Sequence, residues 1–247
     1  MFDSPRIWHI SDMKTWGILG AALAAVAWAT PALAAPPAPT GVVVARYTFD
    51  TAKTGTAITD DSGHNHVLTP SSARVKLTAK SAAFPAKCNA ASKQCPRAVL
   101  QAADAPDLNP GAGPIRFGAT VKLARGQTGI GENILQKGYS ATGGQYKLQV
   151  DGRRGRPSCV LSDNVVRGIH LAQSDVSISD GAWHGLECRR SGTTLTLLVD
   201  GAVHATATIP ATLAISNTVP LSLGGKGDGT NNDQFHGTLD DVWIAVG

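Results

Sequence analysis

The chain has 247 residues and a nearly balanced charge, with 22 Lys and Arg residues, 18 Asp and Glu residues and a formal net charge of +4. No cluster of basic residues with interleaved aromatic residues occurs, so the sequence does not predict a nucleic-acid partner. Beyond residue 34, no segment is apolar enough to span a membrane. Roughly 200 residues then remain, which fit one large β-sandwich without a second domain.

The N-terminal segment has the layout of a secretory signal peptide. Lys14 precedes an apolar run over residues 18–29, and the small-residue sequence Ala32-Leu33-Ala34 follows it. The run is shorter than the ~20 residues needed to cross a bilayer, which favours a cleaved signal over a membrane anchor. An uncleaved anchor is the alternative.

These features divide the chain into three parts. Residues 1–34 are predicted to be the signal peptide, residues 35–40 a Pro/Ala linker, and residues 41–247 the folded domain of a secreted, extracellular protein. The initiator is either Met1 or Met13, since the residues before Lys14 include acidic and aromatic side chains that are unusual in a signal peptide.

Alternation of polar and apolar residues predicts an all-β fold. Residues 115–123 alternate with period two, which is typical of a half-buried strand. Residues 145–150 place Tyr146, Leu148 and Val150 on one face and lead into the hairpin signal Asp151-Gly152. The predicted strands are 42–49, 115–123, 132–136, 145–150, 157–161, 183–190, 195–199, 203–208, 221–223 and 239–246. Asp200-Gly201 predicts a second hairpin, whereas residues 51–83 show no firm period; the pattern indicates a two-sheet antiparallel sandwich.

Four cysteines follow the export signal, and an even number in a secreted chain predicts disulfides. Four cysteines allow three pairings. Cys88 and Cys95 flank a short polar loop that a local bridge would close. Cys159 and Cys188 both lie in predicted strands, where a bridge would tie two neighbouring strands. The spacing of the cysteines does not match a zinc site.

Four blocks of sequence, together with the opening stretch, resemble a laminin-G-like domain of the secreted bacterial type, within the concanavalin A-like lectin/glucanase superfamily. The blocks are residues 144–152, 179–184, 197–201 and 237–244, and the opening stretch runs from Tyr47-Thr48-Phe49-Asp50 to residues 59–66. The resemblance implies a jelly-roll sandwich of two curved antiparallel sheets. It also implies a non-catalytic recognition module for carbohydrate or for an extracellular protein. A diverged glycan hydrolase or lyase and a structural envelope protein are the alternatives.

The carboxylates that glycan hydrolysis requires are scarce. Glucanases of this superfamily carry a Glu-x-Asp-x-Glu pattern on one strand, and retaining hydrolysis needs two carboxyl groups about 5 Å apart. This chain has only Glu132 and Glu187, which lie in different predicted strands. No Gly-x-Ser-x-Gly elbow is present either. We therefore expect a protein that is not an enzyme.

Calcium is the metal that the resemblance implies. The superfamily often carries a structural calcium between the first and last strands, and the matching positions are Asp50 and Asp241, with Asp60 as a third candidate. The alternative is that the loop after Asp60 is only a turn. His64 and His66 suggest a transition-metal pair, but no third ligand lies near them in sequence, so we expect a surface loop.

Two segments are candidates for a ligand-binding surface. The first follows the strand at 132–136 and offers amide, ammonium and phenol groups. The second is the glycine-rich loop 224–234, which lacks hydrophobic residues and is predicted to be exposed, or to be a simple connector. The candidate ligand-binding residues are Gln136, Lys137, Tyr139, Asp228, Asn231, Asn232 and Asp233.

Overall fold

The structure is a computed structural model that describes residues 41–78, 80–88, 95–163 and 168–247. The signal peptide predicted at 1–34 and the linker predicted at 35–40 lie outside these residues. Within the described residues, no helix has the length and hydrophobicity that a membrane crossing requires.

The described residues form fifteen strands and one short 3₁₀ turn, Pro106–Leu108. The strands are β1 (Val42–Tyr47), β2 (Thr69–Pro70), β3 (Lys76–Thr78), β4 (Ser81–Ala83), β5 (Leu100–Ala102), β6 (Ile115–Lys122), β7 (Gly131–Tyr139), β8 (Gly143–Asp151), β9 (Arg156–Ser162), β10 (His170–Gln173), β11 (Trp183–Ser191), β12 (Thr194–Val199), β13 (Ala202–Thr208), β14 (Leu221–Leu223) and β15 (Thr238–Val246).

These strands form two antiparallel sheets, which confirms the predicted sandwich. The eight-stranded sheet has the order β13-β12-β11-β6-β15-β4-β3, and β1 pairs with β15 beside this path. The seven-stranded sheet has the order β10-β9-β8-β7-β14-β5-β2. Sequence neighbours such as β7, β8 and β9 pair as hairpins, whereas β6 pairs with β11 and β15, far along the chain.

The core lies between the sheets and follows the predicted alternation. Ile115 and Phe117 of β6 are buried, as are Tyr146 and Leu148 of β8. The rings of Phe117 and Tyr146 come from opposite sheets and have centroids 5.2 Å apart. Side chains of one face of each strand thus interdigitate, as a two-sheet core requires.

The structure contains the disulfides Cys88–Cys95 and Cys159–Cys188, the two pairings expected from the sequence. The second differs from the expectation in one respect. Cys159 belongs to β9 of the seven-stranded sheet and Cys188 to β11 of the eight-stranded sheet. The bridge therefore joins the two sheets through the core, instead of two strands that are neighbours in one sheet.

Short strands account for the main difference from the predicted elements. β2, β3, β4 and β5 have two or three residues each, and β10 has four. A period-two pattern needs about four to eight residues to be recognisable. The hairpin at Asp200-Gly201 could be predicted from the sequence, because Asp-Gly suits a two-residue turn in which both residues have positive φ. In the structure these φ angles are 51° and 79°.

Candidate functional site

Polar side chains, most of them buried, line the outer face of the seven-stranded sheet. Because Tyr146, Leu148 and Val150 point into the core, the alternating residues of β8 point outward. The pairing register places the polar residues of neighbouring strands beside them. We call this surface the polar face; its members are Asn133, Gln136, Gln145, Lys147, Gln149, Ser158, Ser162 and Ser222.

Side-chain amides link the polar face into a hydrogen-bonded network. The Nδ2 of Asn133 donates to Oε1 of Gln136 (2.6 Å), whose Nε2 donates to the carbonyl of Gly138 (2.7 Å). On the next strands, the Nε2 of Gln149 donates to Oγ of Ser158 (3.1 Å) and to Oδ1 of Asp151 (2.7 Å). These bonds fix the orientation of the amides, so the face presents a defined pattern of donors and acceptors.

Three buried atoms of this face have no hydrogen-bond partner within the described part of the chain. They are Oδ1 of Asn133, Oγ of Ser162 and Oγ of Ser222. A buried polar atom without a partner destabilises a protein by about 1–3 kcal/mol. A water molecule, or a ligand that carries hydroxyl groups, can supply the hydrogen bonds that these atoms lack.

Lys147 supplies a positive charge to the polar face. Burial lowers the pKa of this lysine, and Lys226 acts in the same direction, whereas Asp151 and Asp233 oppose the shift. Asp233 accepts a hydrogen bond from Lys226 (Nζ to Oδ2, 2.9 Å). The site therefore has two ammonium groups, each with a carboxylate near it.

The glycine-rich loop borders the polar face. The phenol of Tyr139 donates to the carbonyl of Lys226 (2.7 Å), and the backbone N–H of Asn133 donates to the carbonyl of Asp233 (2.9 Å). The structure thus brings Gln136, Tyr139 and Asp233 into one region. Both segments that were predicted from the sequence as ligand surfaces meet there.

Other predicted ligand residues lie elsewhere or hold the loop. Asp228 and Asn231 are exposed in the loop. Asn232 is buried, and its Nδ2 donates to the carbonyl of Gly227 (2.9 Å) and to Oε1 of Gln234 (3.1 Å). Asn232 therefore stabilises the loop from within.

Lys137 is not part of the polar face. It pairs with Tyr146 and so shares the core side of the sheet, and it is fully buried. Its ammonium group donates to Oδ1 of Asp104 (2.6 Å), to Asn217 and to the carbonyl of Val219. Asp104 and Asn217 also line an open depression of about 840 Å³, but their contacts with Lys137 give them a structural role.

The three predicted calcium ligands do not form one group of carboxylates. Asp60 accepts backbone hydrogen bonds from Arg46, Ser62 and His66 at 2.9–3.0 Å. The pKa of Asp60 is lowered overall, because the hydrogen bonds from these N–H donors outweigh the opposite effect of burial. Asp241 pairs instead with the exposed guanidinium of Arg46 (2.9 Å).

Asp50 follows β1 in an exposed turn. The structural calcium remains a prediction, to be tested by thermal melting with and without a chelator.

No third ligand was expected beside His64 and His66 in their surface loop, but the structure places one there. Asp107, in the 3₁₀ turn, places Oδ2 at 2.8 Å from Nδ1 of His64 and at 3.0 Å from Nε2 of His66. The sequence concealed this contact, since the donors are about 40 residues apart.

The two glutamates occupy separate places. Glu187 lies on β11 of the eight-stranded sheet and pairs with Arg116 (2.7 Å) and Arg189 (3.1 Å). Glu132 opens β7 of the other sheet and accepts backbone hydrogen bonds from Gly129 and His236. They are held by different partners in different sheets, which does not match the paired carboxyl groups of a retaining glycosidase.

Glu132 should make the stability of the protein depend on pH near neutrality. Burial raises its pKa to about 7, against the opposing effects of its two N–H donors and of Lys87. The folded protein then holds this proton more tightly than the unfolded chain. The stabilisation that the protonated Glu132 gives the folded state is fully present below pH about 4.5. It is lost as the pH rises to about 7, which lowers the free energy of unfolding by about 3 kcal/mol. Urea unfolding of Glu132→Gln at several pH values should show a flatter profile than wild type; parallel profiles would contradict the assignment.

The polar face was missed from the sequence although its signal was present. The alternation that assigned Tyr146, Leu148 and Val150 to the core also assigns Lys147 and Gln149 to the opposite face. Ser158 and Ser162 alternate in the same way on β9. A search for strands whose outward positions are mostly polar would have found the face, although Val160 interrupts it on β9.

The fold is an antiparallel β-sandwich of two sheets. Several solved structures share the fold. The binding domain of Paraclostridial Mosquitocidal Protein 1 has a TM-score of 0.61 at 14% identity, over 82% of this chain and 48% of that one. The binding domain of botulinum neurotoxin DC, in complex with rat synaptotagmin II, has a TM-score of 0.60 at 10% identity, over 83% and 48%. The chain spans about half the length of these toxin domains.

Domain 4 of the extracellular arabinanase AbnA from Geobacillus stearothermophilus, in complex with arabinotriose, matches more completely. Its TM-score is 0.58 at 14% identity, over 84% of this chain and 93% of that one. No curated protein matches the chain in sequence. A laminin-G model, described as the concanavalin A-like lectin/glucanases superfamily, matches residues 119–245. The chain belongs to this superfamily.

Proposed function

We propose that the protein is a secreted, non-catalytic recognition module that binds carbohydrate on the polar face of its seven-stranded sheet. The observation that carries the proposal is the set of unpartnered buried oxygens on Asn133, Ser162 and Ser222. Sugar hydroxyl groups both donate and accept hydrogen bonds, so they can satisfy an amide oxygen and serine hydroxyls together.

The composition of the polar face favours a ligand bound by hydrogen bonds over one bound by stacking. Amides and hydroxyls dominate, and their network orients them before a ligand arrives. Such preorganisation lowers the entropy lost on binding. Tyr139, at the border of the polar face, offers an aromatic ring to such a ligand, whereas Tyr146 points into the core.

The likeness to domains bound to arabinotriose and to synaptotagmin supports a binding role in general. Carbohydrate is preferred over a protein partner because the polar face is made of closely spaced amides and hydroxyls, whereas the centre of a protein interface is usually apolar and aromatic. The separate positions of Glu132 and Glu187 support the non-catalytic part of the proposal.

Ser222→Ala separates binding from folding. The hydroxyl has no partner in the free protein, so its removal should leave the unfolding free energy unchanged or raise it. The same change should weaken binding by about tenfold, the equivalent of ~1.4 kcal/mol, if a sugar hydroxyl bonds to it. A glycan array on wild type selects the ligand, and calorimetry compares the variants.

Thr206→Ala, an exposed position on β13 of the other sheet, is the matched control and should bind as wild type. The array polysaccharides are also screened for release of reducing ends. Product release would refute the non-catalytic module in favour of a hydrolase. Absence of binding to any glycan would instead favour a protein partner.

A further inference from the structure

His64, His66 and Asp107 form a compact group of three donor atoms on the surface of the domain. The ring nitrogens Nδ1 of His64 and Nε2 of His66 both approach Oδ2 of Asp107, at 2.8 and 3.0 Å. All three donor atoms lie within 4.8 Å of one another. Among the described residues, no other group of three such side chains converges in this way.

The loop that carries the histidines is held in place by the core. The carboxylate of Asp60 accepts the backbone N–H of His66 (3.0 Å), and the phenol of the buried Tyr47 donates to the His66 carbonyl (2.6 Å). Asn65 adopts φ of 65°, a left-handed conformation that asparagine tolerates better than most residues. The donors are therefore preorganised before any ion binds.

The spacing of the three donors suits a transition-metal ion. Zinc binds imidazole nitrogen and carboxylate oxygen at about 2.0–2.2 Å, which places neighbouring ligand atoms about 3 Å apart. His66 is 8% exposed at its side chain, whereas His64 and Asp107 are 34% and 36% exposed. One ligand is thus fixed in the protein interior, and the open side gives an ion and a water molecule access.

His184 provides a useful contrast. Its Nδ1 contacts Asp200 and its Nε2 contacts Asp180, at 2.8 and 3.1 Å. The contacts use opposite nitrogens of one ring, so the carboxylates lie on opposite sides and the donors diverge. This arrangement is an ordinary pair of surface ion contacts, unlike the converging group at Asp107.

We propose that His64, His66 and Asp107 bind one divalent zinc-class transition-metal ion, with water completing its coordination. Two imidazoles and one carboxylate favour this class over calcium, which prefers oxygen ligands alone. The site lies apart from the polar face and does not depend on carbohydrate binding.

Calorimetric titration of the chelator-treated protein with zinc chloride tests the proposal. We expect one zinc ion per chain and a higher melting temperature when zinc is present. His64→Ala and Asp107→Asn should each weaken zinc binding by more than the about 10–100-fold that outer-shell changes produce. His64 is exposed and its ring hydrogen-bonds only Asp107 within the described residues, so His64→Ala is expected to fold.

His204→Ala on β13 is the matched histidine control and should bind zinc as wild type does. When calcium chloride replaces zinc chloride, wild type and His64→Ala should behave alike, because calcium is not expected to bind at this site. The proposal is overturned if the wild-type protein binds no zinc, or if one equivalent still binds with unchanged affinity in both His64→Ala and Asp107→Asn.

Discussion

Replacing both Cys159 and Cys188 with alanine should lower the free energy of unfolding by about 2–5 kcal/mol. The bridge joins β9 to β11, and therefore one sheet to the other, between two fully buried side chains. It closes a loop with a sequence separation of 29 residues. Loss of the bridge increases the conformational entropy of the unfolded chain. It also removes buried sulfur atoms from the core of the folded protein.

The second disulfide provides the matched control. Cys88 and Cys95 are separated by only seven residues, so the loop-closure entropy they remove from the unfolded chain is smaller. The double variant Cys88→Ala/Cys95→Ala should lose about 1 kcal/mol less than the core variant. Guanidinium unfolding under non-reducing conditions measures both; an equal or larger loss for the Cys88/Cys95 variant would contradict the structural role of the core bridge.

Asp104→Ala should lower the free energy of unfolding by about 3 kcal/mol, because it leaves the ammonium of Lys137 buried without its counter-ion. Lys137 is fully buried and its pKa is lowered by burial, against the opposing effect of Asp104. The carbonyl groups of Asn217 and Val219 still accept hydrogen bonds in the variant, which keeps the loss at the lower end of the range for broken buried pairs.

A double-mutant cycle separates the pair from its individual residues. Lys137→Met combined with Asp104→Ala removes both charges, and its loss of stability should be clearly smaller than the sum of the losses of the two single variants. The double variant should also retain glycan binding, because Lys137 faces the core side of the sheet. Additive losses would show that the two charges do not interact, and lost glycan binding would return Lys137 to the ligand surface.

Long strands with regular alternation could be predicted from the sequence, and short ones could not. β6 and β8 bury the side chains that their period assigns to the core, and Asp200-Gly201 forms a hairpin. β2, β4 and β5 each pair with a strand distant in sequence, and β3 is attached through its neighbour β4. That pairing is a property of the folded chain, and two or three residues carry too little pattern to reveal it.

The candidate site was only partly predictable, for a related reason. The sequence indicated Gln136, but it gave Lys137 the same role. The register of β7 against β8 shifts between Asn133 and Leu135, so an extra residue changes which side chains face outward. Such a bulge decides that Lys137 points inward, and alternation alone does not show it.

The polar face as a carbohydrate surface is most directly tested by an NMR titration of the protein, labelled with ¹⁵N, with the oligosaccharide that the array selects. The account predicts saturable shifts of the amide signals of β7, β8, β9 and β14, strongest around Gln136, Lys147 and Ser222. Shifts confined to β6, β11 and β12 of the eight-stranded sheet, with the polar face unchanged, would contradict it.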